Sequence, residues 1–192
     1  MRSDKNTAIK EIAYHFKEIL KLIGESPERE GLIKTPERAA KALYDITSGY
    51  DLNASEIASK AIFEHTGSGI IVVKDIEFYS MCEHHVLPFY GTISIGYLPK
   101  GKIIGLSKLA RIVDVYAKRL QVQERLTRQI CEVISKSLPN EGVMVACKGS
   151  HLCMKMRGVE KQDSFTITYE CTGKFLEQPE LRREFMMLSG LE

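Results

Sequence analysis

The hydrophobic period of this chain changes twice along its length, and those changes limit the folds open to it more than any other feature. Over residues 8–23, Ile9, Ile12, Ala13, Phe16, Ile19, Leu20 and Ile23 recur at helical spacing, and Gly24 follows as a left-handed cap. Thr35 and Pro36 predict a second helix start, Thr as N-cap and Pro in the first turn, with Gly49 as its stop. After a polar stretch over 51–68, the segments 70–79, 89–98 and 102–106 carry the β-branched and aromatic residues of strands. Two helices interrupt them, over 107–117 and 122–138; strands return at 143–148 and 164–172, and a short helix covers 180–188. Strands, two helices, strands is an α+β pattern, with both helices on one face of an antiparallel sheet. The expected division is an N-terminal helical arm over 1–66 and an α+β domain over 67–192.

Charge and apolar content narrow the function. A formal net charge of +2 over 192 residues is too small to argue for nucleic acid or an anionic membrane. Anion binding must therefore come from local clusters of Lys and Arg. No apolar run approaches the ~20 residues that span a bilayer, and residues 1–10 lack the apolar core of a signal peptide. A cytoplasmic location is expected, where disulfides are rare. The five cysteines are scattered without a framework spacing. Cys131 falls on a helix's apolar face, and Cys147 and Cys171 fall inside strands, which assigns all three to the core.

The other two cysteines keep different company. Cys82, His84 and His85 lie within four residues, in the link between two strands. A tight turn can bring Cys82 and His85 onto one metal ion. The other polar group of this kind is His151-Leu152-Cys153, and in an extended segment residues 151 and 153 point the same way. Cys153 then completes a Cys2His set. Three protein ligands are the number of a catalytic zinc site, which keeps a fourth position for water and lowers that water's pKa. His84 and His151 remain as unligated imidazoles able to move protons near neutrality. A Cys82–Cys153 disulfide is the competing reading.

A second constellation is basic. Ser107, Lys108 and Arg111 open a helix, where cations three apart near the positive end of the dipole form a phosphate seat or an ordinary solvated face. Arg157 follows Cys153 by four residues, and Arg38 and Lys41 are again three apart. Gln123 and Glu124 stand at a helix junction, where Glu124 accepts two N–H donors, as from a guanine edge, or caps the helix.

These motifs, together with Glu30 to Ala39, Gly105 to Lys108, Gln121 to Thr127 and Met156-Arg157-Gly158, resemble the zinc-dependent GTP cyclohydrolase I family over nearly the whole chain. The resemblance implies the tunnelling fold, a ββααββ unit, and toroidal homodecamers of two pentameric rings with active sites between subunits. It implies Zn2+ on Cys82, His85 and Cys153, and His84 and His151 as catalytic histidines, with Ser107 relaying protons. Glu124, with Gln123 beside it, then anchors the guanine of GTP. Lys108, Arg111 and Arg157 surround the ribose and triphosphate, and Arg38 and Lys41 come from a neighbouring subunit. The activity implied is hydrolysis and rearrangement of GTP to 7,8-dihydroneopterin triphosphate and formate. Alternatives are a non-catalytic, zinc-stabilised purine-nucleotide module, or another pterin or deazapurine enzyme of the same fold.

Overall fold

The computed structural model describes residues 4–191, which divide into two compact units, Met1–Asp51 and Leu52–Glu192. In the first, α1 (Lys5–Leu22) packs on α2 (Thr35–Ile46), and a 3-10 turn (Ser48–Asp51) follows. The first helix starts three residues earlier than its apolar pattern, because the Asp4 side chain accepts from the Thr7 backbone N–H at 3.1 Å. Gly24 takes the expected positive φ of 90°. The second start differs by one position: Lys34 is the N-cap, and Thr35 turns its hydroxyl back to the Gly31 carbonyl.

The second unit begins with α3 (Ala54–Ser59), capped by the Asn53 side chain, and β1 (Ile62–Glu64). Both lie before the expected boundary at 66, which the structure moves to Asp51/Leu52. The reason is packing: Ala54 and Ala58 are buried in the main core, where α3 meets α4 (Leu106–Ala117) and α5 (Gln123–Ser137). The strand β1 pairs with β4 (Lys102–Ile104) as a separate two-stranded sheet.

The main sheet has five strands in the order β5-β2-β3-β6-β7. Four are antiparallel: β2 (Ile71–Cys82), β3 (Leu87–Pro99), β6 (Asn140–His151) and β7 (Thr166–Cys171). The short β5 (Leu120–Gln121) runs parallel to the end of β2. Alternation along β6 sorts the side chains: Val143, Val145 and Cys147 join the core beneath α4 and α5, while Met144 and Ala146 face a smaller core. Phe175 of α7 (Lys174–Glu177) and Phe185 of α8 (Pro179–Ser189) belong to that smaller core. Fully buried residues such as Ile93, Leu126 and Ile130 each contribute about 1.5–3 kcal/mol through burial. The expected α+β order is present, two strands, two helices, two strands, with the helices on one sheet face. No helix among the described residues is long and apolar enough to cross a membrane.

Strand register decides what meets at one end of the sheet. Cys82 pairs with Leu87, and Phe89 pairs with His151, so the β2–β3 turn and the end of β6 are neighbours. The ladder carries β6 three residues past its apolar stretch, through Gly149 and Ser150 to His151. There the chain bends into a single helical turn, α6 (Leu152–Lys155), instead of continuing extended as the 151/153 alternation assumes.

Candidate metal centre and its surroundings

The link from β2 to β3 is a tight turn built on one carbonyl. Cys82 O accepts from the N–H of His85 at 3.3 Å and of Val86 at 2.8 Å, while the Glu83 N–H donates to Gln121 O on β5 at 3.0 Å. Val86 has φ of 52°, a left-handed conformation that is strained for a β-branched side chain. The turn sets Cys82 Sγ 3.8 Å from His85 Nδ1. Cys153, on α6, brings its thiol to the same place: one donor atom each from Cys82, His85 and Cys153 lies within 4.8 Å of the others. Cys82 is buried, Cys153 half-buried and His85 exposed, so the cluster opens to solvent on one side.

Electrostatics mark the same cluster. Burial and the adjacent Cys82 thiol push the Cys153 thiol above its ordinary range, with a smaller opposing pull from Arg157. Two thiols this close resist ionising together unless a cation joins them. All five cysteines are free, so the disulfide reading is not the one adopted. Cys131 and Cys147 are buried, their thiols pushed up to about 12 mainly by desolvation, which suits packing and not chemistry. Cys171 is half-buried at the end of β7 and packs against the smaller core.

Two further histidines flank the three donors in contrasting surroundings. His84 is 66% exposed, its Nε2 3.9 Å from a Glu83 carboxylate oxygen. Glu83 in turn takes a two-pronged ion pair from Arg125, at 2.6 and 2.7 Å, which holds its carboxyl below the usual range. His151 is half-buried and lies flat on Phe89, ring centroids 4.6 Å apart and planes 4° apart. Its Nε2 is 2.8 Å from Gln123 Oε1. Burial pushes its imidazole below the ordinary histidine range, against a weaker upward pull from Glu124.

The start of α5 serves both sides. Successive residues project about 100° apart around a helix, so Gln123, Glu124 and Arg125 take three directions. Gln123 points inward to His151, Glu124 outward to solvent and Arg125 across to Glu83. Gln123, expected among the substrate contacts, has its side chain in the interior. It is 1% exposed, and its amide is engaged by Cys147 O, Thr166 O, Thr168 Oγ1 and His151. A polar residue at a helix start reads as solvent-facing, and nothing in the local sequence signals its burial. The Glu83–Arg125 pair is likewise invisible in sequence, its partners lying 42 residues apart.

The basic residues are not all at this end. The helix α4 begins beyond the far end of β3 and runs back, leading through Arg119 into β5 beside Met81 and Cys82. Its first turns, with Ser107, Lys108 and Arg111, are therefore the end away from Cys82. From Lys108 to Ala117 the helix rises about 14 Å. Ser107 and Arg111 are exposed and Lys108 is half-buried. Arg157, exposed, stays close enough to act on the Cys153 thiol. Arg38 and Lys41 are exposed on α2 of the first unit.

Comparison with known proteins gives one consistent result. The family model described as GTP cyclohydrolase I matches residues 12–190. A protein named GTP cyclohydrolase 1 from Bacteroides fragilis is 51% identical over 181 residues, covering 94% of this chain and 93% of its own. Its namesake from Leptospira biflexa is 54% identical over 173 residues, covering 90% and 94%. The rat protein of that name is 47% identical over 185 residues, covering 96% of this chain and 77% of its own.

Proposed function

This chain belongs to the GTP cyclohydrolase I family, and we propose that it converts GTP and water to 7,8-dihydroneopterin triphosphate and formate. The observation that carries the reading is the cluster of Cys82, His85 and Cys153 with two unligated histidines beside it. Two thiols and an imidazole form a donor set suited to zinc, and a tetrahedral zinc site needs donor separations of about 3.5–3.8 Å. The 3.8 Å already separating Cys82 Sγ and His85 Nδ1 fits that requirement. Zinc held there by Cys82, His85 and Cys153 would supply a Lewis acid and an activated water.

The chain's own groups carry the rest. Glu124, exposed one residue after Gln123, accepts the N–H donors of the guanine edge and turns its C8 towards the cluster. Proton transfers during ring opening and loss of formate fall to His84 and His151. Ser107 relays protons in the sugar rearrangement that precedes ring closure. Lys108, Arg111 and Arg157 pair with the triphosphate, and Arg38 and Lys41 serve a neighbouring subunit's substrate. The distance along α4 supports a site completed between subunits of a homodecamer: within one chain, Lys108 lies about 14 Å of helix from the end nearest Cys82. A cytoplasmic setting keeps the thiols reduced.

Zinc-loaded protein incubated with GTP releases formate and yields a pterin that fluoresces after oxidation. Loss of neither GTP nor formyl carbon under these conditions refutes the activity.

A further inference from the structure

The hydrogen bonds around Gln123 determine more than its own position. Its Nε2 lies 3.1 Å from Cys147 O and 2.9 Å from Thr166 O, and a carbonyl oxygen can only accept. The amide nitrogen therefore faces those carbonyls, and Oε1 faces His151. The hydroxyls agree with this orientation. Thr127 Oγ1 donates to the Gln123 carbonyl at 2.8 Å, so in the 2.7 Å contact between Thr127 and Thr168 the donor is Thr168. Thr168 Oγ1 keeps a lone pair for Gln123 Nε2 at 3.2 Å. Every donor in the cluster has an acceptor only when Oε1 is the free acceptor of the amide.

An acceptor 2.8 Å from His151 Nε2 requires that nitrogen to carry the proton. The ring cannot turn away, because it is stacked on the fully buried Phe89, whose backbone also pairs with His151 in the sheet. The backbone opposite leaves room for this arrangement and no more: a Cβ at Gly149 would stand 2.3 Å from Gln123 Oε1. Among the described residues no hydrogen bond engages Nδ1.

We infer that Gln123 is a positioning residue that holds His151 in one orientation and as its Nε2–H tautomer, leaving Nδ1 as the ring nitrogen with a free lone pair. The inference rests on the proposed activity for its consequence but not for its observable. Gln123 thus acts on the reaction without touching the nucleotide.

The test uses full-length zinc-loaded protein labelled with 15N-histidine, its His151 resonances assigned by their loss in His151→Asn. In the wild type, at a pH where the ring is neutral, Nε2 has the chemical shift of a protonated nitrogen and Nδ1 that of a lone-pair nitrogen. Gln123→Met, close in volume and without an acceptor, gives a mixture of tautomers. Its kcat for GTP falls about 10–100-fold while KM stays within about twofold. Gly149→Ala, which pushes on Oε1 while leaving Gln123 in place, shifts the tautomer and kcat in the same direction and serves if the Met variant does not fold. A lone-pair signal at Nε2 in the wild type, or an unchanged tautomer in both Met and Ala variants, overturns the inference. So does a raised KM with unchanged kcat, which would make Gln123 a substrate contact. If the wild type does not turn over GTP, the proposed function fails, while the nitrogen shifts still decide the tautomer.

Discussion

The turn after β2 and the end of β6 stand at the same end of the sheet, yet one is anchored from the surface and the other from the core. At the turn, Glu83 and Arg125 form an ion pair that water and salt reach, and His84 beside them is 66% exposed. At the end of β6, neutral groups do the holding: Gln123 and Thr127 are 1% and 0% exposed, and His151 is clamped against Phe89. The first arrangement leaves an exposed imidazole beside a carboxylate already paired to Arg125. The second fixes an imidazole in one orientation and one tautomer. A site that moves protons to and from different atoms of one substrate has use for both kinds.

Loss of the proposed metal would break the comparison outright, because Cys82 and His85 lie on one side and Cys153 on the other. Cys153→Ser is expected to strip the bound metal and to lower turnover by about a thousandfold or more, the several kcal/mol of barrier a Lewis acid supplies. Elemental analysis beside a GTP assay checks this. A variant that keeps both metal and turnover rules out the ligand assignment.

The core-side anchor is tested by Thr127→Val, which keeps the shape and deletes the hydroxyl that donates to Gln123 O and accepts from Thr168. Leaving Thr168 without its buried acceptor costs about 1–2 kcal/mol, read from urea unfolding and independent of salt. A shift that disappears in high salt would contradict the neutral character of this anchor.

The surface-side anchor has the smallest effect and a pH signature. Because Arg125 lowers the Glu83 pKa in the folded chain, the pair's stabilisation is fully present above the unfolded carboxylate pKa of about 4.3. It is lost as pH falls through the lower folded value. Glu83→Gln should therefore lower the melting temperature slightly at pH 7, and the difference from wild type should close in acid and shrink with salt. An equal difference at all pH values would show that Glu83 acts by packing.

How much of this was legible in the chain varies with the range of the interaction. The helices of the main unit and both central strand pairs follow from apolar period, a local property that burial on one face imposes on the sequence. The place of β1 and α3 does not, because short elements in a polar stretch gain their stability from Ala54 and Ala58 packing on distant helices. Cys82, His85 and Cys153 stood out because thiols and imidazoles in close groups have few uses besides metal. The reason proposed for their proximity, alternation along an extended segment, was mistaken: α6 intervenes, and the turn after β2 closes the gap.

The sequence by itself determined the element order and the set of residues able to do chemistry, since period and residue type are written position by position. Only the tertiary structure decided that the Gln123 amide is buried against His151, Cys147 and Thr166, and that Ser107, Lys108 and Arg111 lie at the end of α4 away from Cys82. A glutamine at a helix start has the same local pattern whether it faces water or a buried carbonyl. What separates the two is the approach of β6 and β7, whose Cys147 and Thr166 lie 24 and 43 residues away.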